Sequence, residues 1–377
     1  MVKVLIYGTG FAGQGHAEAF RYHDAEVVGI VGRTESVVHQ VAKELNIPYA
    51  GTDWLAALKA CRPDIVSIAT PGGAHVEAIT QAIEFGCHIF CDKPLCESGE
   101  KALELNRLAK EKGVKTAFAA SFRYMPEIIH AKRLVDAGMI GEPREVECMS
   151  HFNLDPNIPF GWSHSADAGG GRLNNNFTHL LSIVTSVVGE NILAINGEVR
   201  NDMPKAPVVE GVHNFIQRRN FIPKDLNDPN LEWKETDVEW SYTVLAQLES
   251  RVPAERPVSV LFKHGGLVPN FNDDHIVFHG SKGSIYIKGH YGGGPLSYFS
   301  QQDDKSWREI ELPQDISASL PAIKDDTLRS WTHLAGLLVK DVQGENVETY
   351  QTFEQGAEYQ VLIDIIRRND RWLDVSK

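Results

Sequence analysis

The sequence lacks the features that would tie a protein to a membrane, a polyanion or an oxidising compartment. No apolar run approaches the roughly 20 residues a spanning helix requires, so no membrane partner is expected. Basic residues number 37 against 50 acidic ones, a formal charge of −13. Such a surface repels nucleic acid and anionic lipid, and anionic ligands can bind only where local donors outweigh that field. Only Lys3 precedes the first apolar run, which ends at Gly8 and Gly10 without a small-residue cleavage site, so no signal peptide is expected. The five cysteines (Cys61, Cys87, Cys91, Cys96 and Cys148) are odd in number and show no framework spacing. Reduced thiols in a cytoplasmic protein, with no metal site, are the expectation.

What is present is the composition of a globular protein, 42% hydrophobic and 23% charged, with 377 residues to supply two cores. The first 120 residues alternate strand-like runs (KVLIYG, AEVVGIVG, DIVSIAT, CHIFC, KTAFAA) with helical patterns such as SGEKALELNRLAKEKG. That alternation predicts a parallel sheet covered on both faces. Gly86 and Gly113 stand where helices should end. After about Arg144 the texture changes to alternating strands (EVECMSHF, WSYTVLAQL, PVSVLFKH, HIVFHG, GSIYIKG) joined by turns, which predicts a largely antiparallel sheet open on one face. Helical patterns return near 174–188, 325–339 and 352–368, whereas 201–236, rich in Pro, Asn and charge, reads as a long loop or insertion. The expected architecture is α/β: a doubly wound parallel-sheet domain over 1–122, then an α+β domain with a large, mostly antiparallel sheet over 123–377. The last helices are free to pack back on the first domain, and the open face calls for a homodimer or homotetramer.

The stretch YGTGFAGQGH places G-x-G-x-x-G between a strand and a helix. Gly8 permits the tight turn, Gly10 a close approach to pyrophosphate and Gly13 close helix–strand packing. Thr9, Phe11 and Ala12 complete the turn, and the helix N-terminus offers amides to phosphate. At the end of the second strand, where an acidic residue would bind a ribose 2′-hydroxyl, stand Gly32, Arg33 and Thr34. A guanidinium beside a hydroxyl favours the 2′-phosphate of NADP; stacking of Arg33 on adenine would leave NAD possible.

Four more stretches, TPGGAH (70–75), CDKPL (91–95), FRYMP (122–126) and GGGRLNNNFTH (169–179), together with the C-terminal TFEQGAEYQVLIDIIRR, resemble the glucose–fructose oxidoreductase, inositol dehydrogenase and rhizopine-catabolism (Gfo/Idh/MocA) family. The resemblance runs through nearly the whole chain. It implies a Rossmann domain whose Thr70, Pro71 and His75 lie beside the cofactor, with Asp92 where the family has glutamate, and a cis Lys93–Pro94 bond. It further implies nicotinamide-dependent oxidation of a carbohydrate or polyol alcohol, with Lys93 and His179 as the proton-handling pair. Asn175 stands where the family has aspartate, and Phe177 where it has glycine.

Asn175 and His179 are four apart on an expected helix and so share a face. Asn175 can orient the imidazole or bind a hydroxyl but cannot raise its basicity as a carboxylate would. Arg172 is a candidate partner for an anionic substrate group, a carboxylate or sulfonate. Arg123, Tyr124, Trp162, His164 and Asn176 are candidate pocket residues. Two further readings stay open: a redox-neutral glycoside hydrolase that oxidises, eliminates and re-reduces on a retained NAD, and a non-catalytic cofactor-binding sensor, against which the presence of both Lys93 and His179 counts.

Overall fold

The computed structural model describes residues 1–212, 217–269, 273–303 and 305–368. Its first half is built on strands β1 (Lys3–Tyr7), β2 (Glu26–Val31), β3 (Tyr49–Gly51), β4 (Ile65–Ile68), β5 (His88–Asp92) and β6 (Thr116–Ala119). They lie in the order β3-β2-β1-β4-β5-β6, every neighbouring pair parallel. The strands are apolar on both faces because helices cover both: Val4, Leu5 and Ile6 of β1 are all fully buried. The crossovers are α1 (Phe11–Arg21), α2 (Glu35–Glu44), α3 (Trp54–Cys61), α4 (His75–Glu84) and α5 (Gly99–Lys112). Gly86 (φ +79°) and Gly113 (φ +63°) take the left-handed conformation just past α4 and α5. β3 and α3 fall outside the stretches assigned from sequence patterning. A three-residue, half-buried strand carries almost no periodicity, and α3 is announced mainly by its cap, Asp53 accepting from the Ala56 amide.

The second half opens with α6 (Pro126–Asp136) and β7 (Pro143–His151), followed by a π-turn at Leu173–Phe177 and α7 (Thr178–Val188). Strands β8 (Ile192–Arg200), β9 (Lys205–Pro207), β10 (Trp233–Glu235), β11 (Ser241–Leu248), β12 (Val258–Gly265), β13 (His275–Gly280), β14 (Gly283–Lys288), β15 (Leu296–Ser300) and β16 (Trp307–Glu309) follow. The main sheet has the order β16-β15-β14-β13-β7-β12-β11-β8, antiparallel except where β7 runs parallel to β12. The segment 201–236 is more than a loop. β9 and β10 pair into a small ribbon, with a 3-10 turn at Gln217–Phe221 between them.

Three C-terminal helices follow the sheet: α8 (Gln314–Ser319), α9 (Asp326–Val342) and α10 (Phe353–Arg368). α9 packs on α1 and α10 on α5, so the end of the chain clasps the first half. One apolar core consequently runs from Leu5 through α7 to Ile366. α7 lies inside it, buried on every side. Its six aliphatic residues Leu180, Leu181, Ile183, Val184, Val187 and Val188 stabilise its placement by about 1.5–3 kcal/mol each. Its hydroxyls avoid a desolvation cost by bonding: Ser182 Oγ donates to the Ala120 carbonyl at 2.7 Å, and Thr185 Oγ1 meets the Tyr359 hydroxyl at 2.8 Å.

The two halves meet backbone to backbone. A Cβ on Gly169 would lie 2.9 Å from the Gly72 Cα, and one on Gly73 only 2.0 Å from the Asp167 carbonyl oxygen. Pro94, after the cis Lys93–Pro94 bond, lies over Gly72.

Candidate active site

The glycine turn has the shape that phosphate binding needs. Gly8 (φ +127°) donates to the Val31 carbonyl at 2.8 Å, and a Cβ there would lie 2.4 Å from the Ala69 oxygen. A Cβ on Gly13 would lie 1.9 Å from the Gly8 oxygen. Gly10 differs: nothing stands within 4 Å of a Cβ added to it, and as N-cap of α1 it leaves the first amides of that helix without a side-chain partner. Open space before a helix N-terminus fits a pyrophosphate. Around it, Gln14 Nε2 donates to the Thr9 carbonyl at 3.0 Å, Ala12 packs inward, and Phe11 is half exposed on Trp331. Arg33 is exposed, and Thr34 precedes α2 without capping it, so both side chains are free to meet a ribose. The Thr70 hydroxyl is buried without a partner. These residues fit a dinucleotide.

His75 sits differently from the expectation. It is fully buried, with Nε2 2.7 Å from the Thr70 carbonyl and Nδ1 3.1 Å from the Leu95 carbonyl. It braces the loops after β4 and β5 and would act on a cofactor only through Thr70. Asp92 ends β5, its Oδ1 accepting from the Lys93 amide at 2.9 Å.

Lys93 and His179 come together. Burial and the neighbouring Arg172 pull the Lys93 ammonium below its ordinary pKa, and Asp92 opposes the shift. Burial, then the charges of Lys93 and Arg172, hold His179 well below the ordinary imidazole value. At neutral pH the ring is therefore uncharged and able to accept a proton. It lies against Phe122, centroids 4.4 Å apart, and Tyr291, 5.3 Å, with Nδ1 buried and unpartnered.

Arg172 is 6% exposed and projects from the start of the π-turn. Its Nε donates to His264 Nε2 at 3.0 Å and its guanidinium lies 4.4 Å over the Phe152 ring, while Nη2 is buried without a partner. It forms no ion pair among the described residues.

Several other candidates are placed elsewhere. Asn175 is half-buried and makes no side-chain hydrogen bond among the described residues, to His179 or to any other group. The expected shared face assumed α-helical winding, whereas 173–177 is wound wider. Asn176 is a clamp: Nδ2 donates to Ser150 Oγ and the Tyr291 hydroxyl, both at 3.0 Å, and Oδ1 accepts from the Tyr242 hydroxyl. With both ends engaged it belongs to the scaffold. Arg123 points away from the site to pair with Glu190 beyond the far end of α7. Tyr124 packs on His333 and accepts from the Gln351 amide, on the contact with α9. His164 is fully buried, 5.3 Å from Phe160 and 5.0 Å from Trp240, and desolvation with the adjacent Arg218 lowers its pKa to about 3. It is a neutral packing residue. Trp162, half-buried, opens the same 3-10 turn.

Patterning missed Phe122, Tyr291, Phe152, His264 and Arg218. The first stands in FRYMP beside the two residues selected there, and Tyr291 precedes the glycine run 292–294. No local pattern marks the other three.

Residues 2–120 match the family model described as "Oxidoreductase family, NAD-binding Rossmann fold", and 128–286 match the "GFO/IDH/MocA C-terminal domain". The chain belongs to the Gfo/Idh/MocA family. Within it, the chain is 27% identical over 222 residues to levoglucosan dehydrogenase of Pseudarthrobacter phenanthrenivorans, covering 56% of this chain and 57% of that protein. It is 30% identical over 226 residues to the NAD-dependent scyllo-inositol 2-dehydrogenase of Bacillus subtilis, with coverages of 59% and 64%. To the 2,7-anhydro-N-acetylneuraminate hydratase of Escherichia coli it is 26% identical over 208 residues, with coverages of 54% and 55%. The matched stretches thus span little more than half the length of these relatives. The fold extends further: a levoglucosan dehydrogenase structure with NADH and levoglucosan superposes with a TM-score of 0.81 over 100% of both chains, at 19% identity.

The open space at Gly10 yields a separation of effects. Gly10→Ala is expected to leave the melting temperature unchanged and weaken dinucleotide binding about tenfold or more, measured by fluorescence titration. Gly13→Ala, pressed against the Gly8 carbonyl, should lower the melting temperature itself. The idea fails if Gly10→Ala binds the dinucleotide like the parent.

Proposed function

We propose that the protein is a nicotinamide-dependent oxidoreductase acting between a secondary alcohol and a ketone of a sugar, sugar acid or cyclitol. The observation that carries this reading is a half-buried lysine and a neutral, buried imidazole within each other's electrostatic reach, contributed by the two halves of the chain, beside a turn shaped for a dinucleotide. The names of the dehydrogenase relatives support the substrate class. Gly8, Thr9, Gly10, Gly13 and Thr70 would hold the cofactor, whose nicotinamide supplies hydride acceptance at the alcohol carbon. Lys93 donates a hydrogen bond to the substrate oxygen and stabilises the charge that develops there. His179 accepts the hydroxyl proton, which its neutral state at neutral pH permits. Phe122 and Tyr291 hold the imidazole in place and keep water from it.

A second reading is redox-neutral elimination or hydrolysis on a retained cofactor. It is favoured by His179 lacking a carboxylate partner and by the relative named as a hydratase. Free sugars and aryl glycosides, followed by absorbance of reduced cofactor and by aglycone release, separate the two. Stoichiometric reduced cofactor supports the dehydrogenase, and aglycone without net reduction supports the second reading. Lys93→Ala should lower turnover by about 10²–10⁴-fold with dinucleotide affinity nearly intact. A fully active variant would falsify the mechanism.

Arg33, exposed beside Gly32 and Thr34, favours NADP over NAD. Arg33→Ala should raise the KM for NADP about tenfold or more with little change for NAD. Equal effects on both cofactors would remove the preference.

The outer face of the main sheet carries Leu245, 54% exposed, opposite Leu261 on the next strand, and Trp307, 50% exposed. We take a second copy of the chain as its cover. Sizing by light scattering should return a dimer or tetramer, and a monomer at working concentration would exclude it.

A further inference from the structure

The reading above leaves one buried charge unexplained. Arg172 lies in the interior with Nη2 unpartnered, and Glu239, whose charge reaches it, makes no ion pair with it among the described residues because its oxygens are engaged elsewhere. Glu239 receives Arg367 through both oxygens and also the Leu173 amide, and Asp274 receives His151 and His290. A guanidinium taken out of water without a counter-ion is costly, and such groups persist where a ligand completes them.

A second buried arginine, unmarked by any motif, stands nearby. Arg218, 7% exposed, comes from the 3-10 turn inside 201–236 and donates to Ser163 Oγ at 2.7 Å, alongside Gly161. The Ser163 carbonyl in turn accepts from the Gly171 amide, so a single serine joins Arg218 to the turn that carries Arg172. Each guanidinium sits within the other's electrostatic reach, and Arg172 within that of Lys93 and His179. Like charges are thus gathered on one side of the proton-handling pair, against the −13 of the chain as a whole.

We propose that Arg172 and Arg218 form a carboxylate-binding subsite, so that the substrate is an anionic carbohydrate, a sugar acid whose carboxylate lies between the two guanidiniums while its reacting carbon faces Lys93 and His179. The planar fork of Arg172 supplies directional donors to the carboxylate. Arg218, tethered to Ser163, brings the 3-10 turn at Gln217–Phe221 to the substrate site. The subsite refines the dehydrogenase reading and rests on it only for the placement of the reacting carbon.

The test is calorimetric binding to the dinucleotide-loaded protein, using D-glucuronate, D-galacturonate and N-acetylneuraminate, each as the acid and as its methyl ester. At least one acid should bind about tenfold or more tightly than its ester. Arg172→Lys, which keeps the charge and loses the fork, and Arg218→Gln should each bring that acid to within about threefold of the ester. As a check on folding, Arg172→Met should melt within a few degrees of the parent, because an apolar side chain of similar length replaces an uncompensated charge. Acids and esters that bind alike throughout the panel, or acid binding that survives both substitutions, overturn the inference. The two readings fail separately. Lys93-dependent oxidation of neutral sugars without acid preference removes the subsite and keeps the dehydrogenase. Arginine-dependent acid binding with no turnover of any acid does the reverse.

Discussion

The contact on which the site depends is the approach of two backbones where no side chain can stand. Gly72 and Gly73 lie against Asp167–Gly169 so closely that a methyl group on either side would overlap main-chain atoms. Pro94 closes over the same point. Because Lys93 immediately precedes that proline and the Gly169–Gly171 run leads through Arg172 and the π-turn to His179, the separation of Lys93 and His179 depends on this contact. The clasp of α9 and α10 on α1 and α5 holds the halves from the other end, so neither group can drift from the other without opening a common core.

Electrostatics then follow from packing. Three potential cations, half-buried Lys93 and buried Arg172 and His179, lie within one another's electrostatic reach, and the least costly arrangement keeps the imidazole neutral. Asp92 offsets Lys93 through position more than contact, since its Oδ1 accepts from the lysine's backbone amide. What would be a defect in a purely structural core leaves His179 neutral, in the state the proposed proton acceptance needs.

Much of this was legible in the sequence, and for definite reasons. Buried parallel strands are apolar runs, amphipathic helices carry their period, and a G-x-G-x-x-G between the two constrains a turn, so the first half and its glycine site could be read directly. Lys93 and His179 were found through motifs. The failures share one cause, that direction in space is not written in spacing. Arg123 and Tyr124 adjoin Phe122, yet only Phe122 faces the imidazole, because a 3-10 turn at 121–124 sends successive side chains apart. Asn176 looked available until Ser150, Tyr242 and Tyr291 arrived from distant strands and loops to occupy it. Arg218 lies in a stretch whose composition argued for loop alone, and its role comes from a serine 55 positions earlier.

The wide turn at Leu173–Phe177 has a consequence for how this chain is compared with its relatives. Closing a hydrogen bond over five residues instead of four takes up about one extra residue per turn. Counting back from His179 therefore does not land where it would on an uninterrupted helix, and the side chain four positions earlier, Asn175, does not share the imidazole's face as α-helical spacing would have it. A column of aligned letters would score the change as the loss of a charge beside the histidine. In three dimensions the winding also matters, because a π-turn ahead of α7 sets which of the residues 173–177 can face the imidazole at all.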